Sequence, residues 1–270
     1  MSFVWPFLIA ISLWWVSTGL VLIIDRRAKG GIAVPPSIGF VALALLCGLV
    51  AWSAQLEGLT GVYLGFVAGI AIWGWHEIAF LSGRITGPDP APCPPGATGW
   101  RRFKAALGAI LWHEMAIAVT ALALYAFCRG GENMVGLWTF NVLWIMRLSA
   151  KINVFLGVPN MTLDLLPDQV SYLKTYFRVR PMNWLFPFSV TLGTIAAAWF
   201  SHGAFVPGAS EVAIASSALL SGLTALAVLE HWFLVLPIRD AALWHWWLGA
   251  DELENSKKVP SNGVSAEAAP

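Results

Sequence analysis

Three histidine–glutamate pairs, His76-Glu77, His113-Glu114 and, in reversed order, Glu230-His231, interrupt stretches that are otherwise apolar. An ionisable side chain at the centre of a bilayer costs about 3 kcal/mol on insertion scales, so such residues are usually paired, hydrated or bound to a ligand. Neutral imidazole with carboxylate is the donor set of iron, zinc and manganese sites, and a metal-bound histidine usually gives its second ring N–H to a carboxylate. His76, Glu77, His113, Glu114, Glu230 and His231 are therefore the candidate metal ligands, numerous enough for a di-iron centre or for another divalent metal. Adjacent residues on a helix point about 100° apart, so each pair flanks a cleft and cannot line one narrow stripe. The spacing differs from the Glu-x-x-His pattern of ferritin-like di-iron bundles.

The same histidines allow two other readings. Trp75, Trp112 and Trp232 adjoin His76, His113 and His231, and an aromatic beside an imidazole suits packing on a flat macrocycle. The three histidines are thus also candidate axial ligands to the magnesium of a bacteriochlorophyll. In the third reading the pairs bind nothing, hydrogen-bond one another and hold helices together, as polar side chains within membranes do.

The elements that must position these residues follow from composition. Of 270 residues, 58% are hydrophobic and only 11% charged, and mean hydropathy is +0.70, values of a polytopic membrane protein. With a net charge of +1, no global field draws the chain to nucleic acid, and the lipid bilayer is its main partner. Windows long enough to cross about 30 Å of hydrocarbon fall near 3–24, 36–53, 59–81, 105–128, 134–155, 184–201 and 212–236. The fold expected is all-α, a polytopic membrane helix bundle of about seven transmembrane helices. Residues 1–249 form its single domain, and 250–270 a polar cytoplasmic tail that is expected to be disordered.

Lysine and arginine alternate between connections. Arg26, Arg27 and Lys29 follow the first window; Arg84, Arg101, Arg102 and Lys104 lie in the 82–104 loop; five more lie between Arg147 and Arg180; Arg239, Lys257 and Lys258 follow the last window. The other loops hold only Arg129. By the positive-inside rule the N-terminus is periplasmic and the C-terminus cytoplasmic. All three His–Glu pairs then lie at similar depth, roughly 8–12 Å from the cytoplasmic boundary by the helical rise. Arg147 and Lys151, one turn apart, are expected to snorkel or to neutralise Glu77, Glu114 or Glu230.

Short in-plane amphipathic helices complete the expected fold. One starts at Pro167, with Val170, Leu173 and Phe177 on one face and Lys174 and Arg178 on another; a second lies at 238–249, rich in tryptophan. Asp164 and Asp168 are capping or surface charges, His202 an external loop residue, and His245 an interfacial histidine. Cys47, Cys93 and Cys128 have no paired spacing and are expected to be reduced.

The stretch W-H-E-I-A-F-L-S-G-R-I-T-G-P at 75–88, C-P-P at 93–95, the second W-H-E at 112–114 and K-I-N-V-F-L-G-V-P-N at 151–160 resemble the photosynthetic complex assembly protein 2 family. The resemblance runs from about the first window to the seventh. It implies a multi-pass protein of the bacterial inner, intracytoplasmic membrane, encoded beside the reaction-centre H subunit. It further implies a role in building the photosynthetic apparatus, with reaction-centre or light-harvesting subunits or pigments as partners. It assigns no functional residues. The expected function is an accessory or assembly factor whose His/Glu cluster binds metal or pigment. The alternatives are a membrane di-iron oxidoreductase acting on a lipid-soluble pigment, carotenoid or quinone, and a purely structural scaffold.

Overall fold

The computed structural model describes residues 2–28, 35–160 and 166–237, the side chains of 25–28 excepted. They form seven α-helices, α1 (Val4–Ala28), α2 (Pro36–Ala54), α3 (Gly58–Leu81), α4 (Gly99–Cys128), α5 (Val135–Leu156), α6 (Leu185–His202) and α7 (Glu211–Phe233), and one 3₁₀ helix, Asp168–Tyr176. Beyond an isolated parallel bridge between Val158 and Val179, no β-structure is present among the described residues. Five of the helices, α1 through residues Val4–Ile24, α2, α3, α4 and α7, are long and apolar enough to cross a bilayer. α5 carries Arg147 and Lys151, and α6 has 18 residues. The segment 238–249, the 250–270 tail, Asp164 and His245 lie outside the described residues.

The connections gather at two ends. At one, Asn133 Nδ2 donates to Ser53 O (2.7 Å) and the Phe3 and Phe205 rings lie 5.3 Å apart, bringing together the α2–α3, α4–α5 and α6–α7 turns and the start of α1. At the other, Cys93 N donates to Thr175 Oγ1 (2.8 Å) and Asn160 N to Leu234 O (3.1 Å), joining the 82–98 and 157–184 connections to the end of α7.

α3 is the central helix, packed against α1, α2, α5 and α7. Its Gly61, Gly65 and Gly69 recur every fourth residue, so one stripe lacks side chains and α5 comes in backbone to backbone. A Cβ on Gly69 would lie 2.8 Å from Gly136 O and 3.0 Å from Thr139 Cβ; one on Gly136 would lie 2.9 Å from Gly65 O. Phe66, Ile72, Ile117, Leu124, Phe140, Leu219 and Leu223 fill the adjoining core.

A second, smaller core sits at the other end. α4 has 30 residues, about 45 Å at the helical rise, so it outruns the hydrocarbon and its first turns join a cap. There Val170, Leu173 and Tyr176 of the 3₁₀ helix pack with Phe80 and Ala109. This corrects the expected in-plane helix. At three residues per turn, side chains at i and i+3 eclipse, so the buried row is Val170, Leu173 and Tyr176. Phe177 is only partly buried, while Lys174 is exposed. Burial is the main cause that pushes the Tyr172 and Tyr176 phenols above their ordinary value.

Candidate functional site

The loop after the first W-H-E plugs into the backbone of the second. His113 N, which in an unbroken helix would donate to the Ala109 carbonyl, donates to Thr86 O at 2.8 Å. The two carbonyls of the preceding turn take outside donors: Gly108 O accepts from Asp89 N (3.0 Å) and Ala109 O from the Tyr172 hydroxyl (3.3 Å). Gly87 makes this possible, because a Cβ there would collide with the backbone of Gly108, Ala109 and Ile110. The I-T-G-P string is therefore the part that grips α4 at His113.

His113 is fully buried and stacks on Phe80, ring centroids 4.3 Å apart, and neither ring nitrogen has a hydrogen-bond partner among the described residues. His76, one turn before Phe80 on α3, is 1% exposed; its Nε2 lies 3.0 Å from Thr120 Oγ1, and its Nδ1 is also unbonded. The two imidazoles act on one another electrostatically, and the Lys151 ammonium acts on both. Lys151 Nζ lies 2.7 Å from Glu114 Oε1 and 5.3 Å from the Phe80 ring centre, while Trp144 Nε1 donates to Glu114 Oε2 (3.2 Å). Lys151 thus neutralises Glu114, one of the three glutamates expected to be paired; Arg147 and Glu230 have partners as well.

His231 belongs to a different network. Its Nδ1 donates to Ala227 O (2.8 Å) and its Nε2 lies 3.0 Å from Ser149 Oγ. Ser149 Oγ donates to Ser189 Oγ (2.9 Å), which also receives Asn153 Nδ2 (2.9 Å). Asn183 Nδ2 donates to the carbonyls of Asn153 (3.1 Å) and Gly157 (3.0 Å). Lys151 and Ser149 are two residues apart on α5 and so face different neighbours: Lys151 turns toward α4, Ser149 toward α6 and α7. α5 separates the His76–His113 pocket from His231.

Of the six expected ligands, then, the structure brings together His76, His113 and Glu114. It holds His231 on the far side of α5. Glu77 is half-buried and makes no hydrogen bond or ion pair among the described residues; Glu230 is half-buried as well. No group of three or more His, Cys, Asp or Glu side chains able to hold a metal forms among the described residues. The two bonded histidines, His76 and His231, each meet a hydroxyl on another helix, that of Thr120 and that of Ser149. Trp112 and Trp232 are 50% and 40% exposed while His113 and His231 point inward at 0% and 1%, as the 100° between adjacent residues requires.

Sequence reasoning overlooked two structural features, a glycine stripe and a buried arginine. The recurrence of Gly61, Gly65 and Gly69 was a readable signal for close helix packing. Arg102, counted only as a topological charge, is 5% exposed; its guanidinium lies 3.8 Å from the Phe155 ring centre and donates to Phe155 O (2.9 Å) and to Tyr176 O. No local pattern announces that burial.

Fold and site together define a multi-pass α-helical membrane protein with a buried pair of histidines beneath a loop-and-3₁₀ cap. The chain belongs to the family described as "Protein of unknown function (DUF3623)", which matches residues 1–255. It is 40% identical, over 255 residues and 92% of both chains, to the "Uncharacterized 30.4 kDa protein in puhA 5'region" of Rhodobacter capsulatus. No solved structure is significantly similar to it.

Proposed function

We propose that this protein is an accessory or assembly factor of the bacterial photosynthetic apparatus, and that its His76–His113 pair binds a metal ion. The setting is supported by the relative from the puhA 5′ region of a photosynthetic bacterium. The observation that carries the site is three imidazole nitrogens, His76 Nδ1 and both of His113, buried without partners among the described residues. Buried polar atoms in folded proteins are bonded in roughly nine cases in ten, and an imidazole with an open nitrogen is a metal donor.

Burial favours an ion over a pigment at His113, because Trp112, which would pack on a macrocycle, is exposed while the imidazole is fully buried. Trp75 is half-buried edge-on against His76, with ring centroids 5.0 Å apart, and its Nε1 donates to Gly39 O. A di-iron centre draws less support: Glu114, the carboxylate that adjoins His113, is held by Lys151 and Trp144. If a metal is bound, His76 and His113 hold it and the ion supplies Lewis acidity. Glu114 and Lys151 keep the surroundings neutral, and the Thr86–Gly87 plug excludes water.

All seven α-helices cross the membrane in this reading, with the N-terminus periplasmic, the cap cytoplasmic and the bacterial inner membrane as host. Charge supports it: exposed Arg84, Arg101, Lys104, Lys174 and Arg180 crowd the cap end, whereas Glu57, Glu132 and Glu211 face Arg129 alone at the other.

The test is metal analysis of the purified protein beside its His113→Ala variant. The expected result is roughly one ion per chain in the wild type and, as for loss of an inner-sphere ligand, at least about tenfold less in the variant. The variant should still accumulate in the membrane while yielding less assembled photosynthetic complex. A metal-free wild type would defeat the site, and normal complex yield on deletion of the whole protein would defeat the setting.

A further inference from the structure

The N-V-F-L-G-V-P-N string at 153–160 takes no part in the histidine pocket. It builds something else. Val158 N donates to Arg178 O (3.1 Å) and Arg180 N donates to Val158 O (3.3 Å), so the end of α5 and the segment entering α6 are clamped together. Residues two apart on an extended segment point to the same side, and Arg178 and Arg180 are two apart. The stem of Arg180 lies across Gly157, where a Cβ would come within 2.8 Å of its Cγ and Cδ. Gly157 also has φ +123°, a conformation that glycine supplies at no steric cost. The glycine therefore serves both the turn and the seat of the arginine.

Arg102 reaches the same place from α4, where its guanidinium donates to Phe155 O and Tyr176 O. Arg178 and Arg180 lie within electrostatic reach of it. Among the described residues no carboxylate acts on Arg102, and Arg178 and Arg180 form no ion pair. These three arginines lack an acidic partner among the described residues, so their guanidinium groups repel one another and suit a shared anion. Guanidinium matches phosphate through paired N–H donors. The surroundings are amphiphilic: Val179, Met182 and Trp184 on one side and Trp100 on the other are 53–70% exposed. Tryptophan at this position is characteristic of headgroup level.

We propose that Arg178 and Arg180, with Arg102 behind them, bind the phosphate of an anionic phospholipid headgroup at the cap end of the bundle. Arg102 is committed to two carbonyls and supplies field; Arg178 and Arg180 supply the donors. The flanking apolar side chains take the start of the acyl chains. The proposal uses the membrane setting of the bundle and is independent of what His76 and His113 bind.

The experiment is thermal unfolding of the full chain in a neutral detergent, titrated separately with phosphatidylglycerol, phosphatidylcholine and inorganic phosphate. Phosphatidylglycerol is expected to raise the midpoint of the wild type, phosphatidylcholine to raise it much less, and the apparent affinity for phosphatidylglycerol to fall roughly tenfold or more in R178Q/R180Q, as loss of charge-assisted hydrogen bonds implies. A shift by inorganic phosphate as large as that by phosphatidylglycerol, and lost in the same variant, overturns the lipid source and assigns the site to free phosphate. Equal phosphatidylglycerol shifts in wild type and variant, or no shift in either, overturn the site. Should the double variant fail to accumulate, Arg180→Gln is read in the same way, since Arg180 is exposed.

Discussion

The two ends of α3 hold the bundle together by opposite means. Its first turns present Gly65 and Gly69 to Gly136 and Thr139 of α5, and Gly61 to the carbonyls of Ser53 and Leu56 and the Asn133 side chain. Its last turns present His76 and Phe80, which meet Thr120 and His113 across the interface. Glycine packing holds helices by dispersion and close approach and demands no polar partner. Packing with imidazoles leaves nitrogens that must find one. The difference teaches where to look for function: the close-packed end is a clamp, and the polar end is where a ligand has reason to bind.

The comparison breaks most decisively at the clamp. Gly69→Leu must push α5 away and is expected to cost about 3 kcal/mol or more, the upper range for overpacking, as measured by unfolding in increasing SDS. Gly48→Ala is the control, since a Cβ there meets nothing within 4 Å and should be neutral or slightly stabilising. Equal tolerance at both positions would remove the clamp.

At the polar end, Lys151→Met strands Glu114 and should cost about 2 kcal/mol, less than a fully buried pair because both side chains are partly exposed. The double variant Lys151→Met, Glu114→Gln should recover most of that loss. Additive losses in this double-mutant cycle would mean that the two groups are not coupled.

Gly87→Ala tests whether the cap is a third independent unit. It should unseat the plug at a cost of about 1–2 kcal/mol and speed hydrogen exchange at the His113 amide, leaving the glycine end protected. The smallest effect is that of pH. Tyr172 and Tyr176 have phenol pKa values raised in the folded protein. Their contribution is complete below the unfolded value of about 10 and is lost as pH rises through the folded one. Cap stability should therefore fall in strong alkali, together with the appearance of phenolate absorption, and Tyr172→Phe should flatten the profile.

Much of the fold was legible. The apolar windows 36–53, 59–81, 134–155 and 184–201 match α2, α3, α5 and α6 to within a residue or so at each end, because hydrocarbon thickness sets both the window and the helix. The start of α4 was missed by six residues, since Trp100 to Lys104 are too polar to count as a span and are ordered by the cap. The site was legible as a set of residue types. Its partition was not: nothing local tells that Glu114 is spent on Lys151, or that Ser149 draws His231 to the other face of α5.

By itself, the sequence determined that the chain is a helical membrane protein with basic residues concentrated in alternate connections and histidines within apolar stretches. Composition and the cost of burying charge act residue by residue, so both can be read without contacts. Tertiary structure alone decided that the 82–98 loop reaches α4 at His113, that Arg102 is buried on the carbonyls of Phe155 and Tyr176, and that the Arg180 stem lies across Gly157. Those facts depend on which backbone carbonyls are left open and which helices are neighbours, and such pairings exist only after the chain has packed.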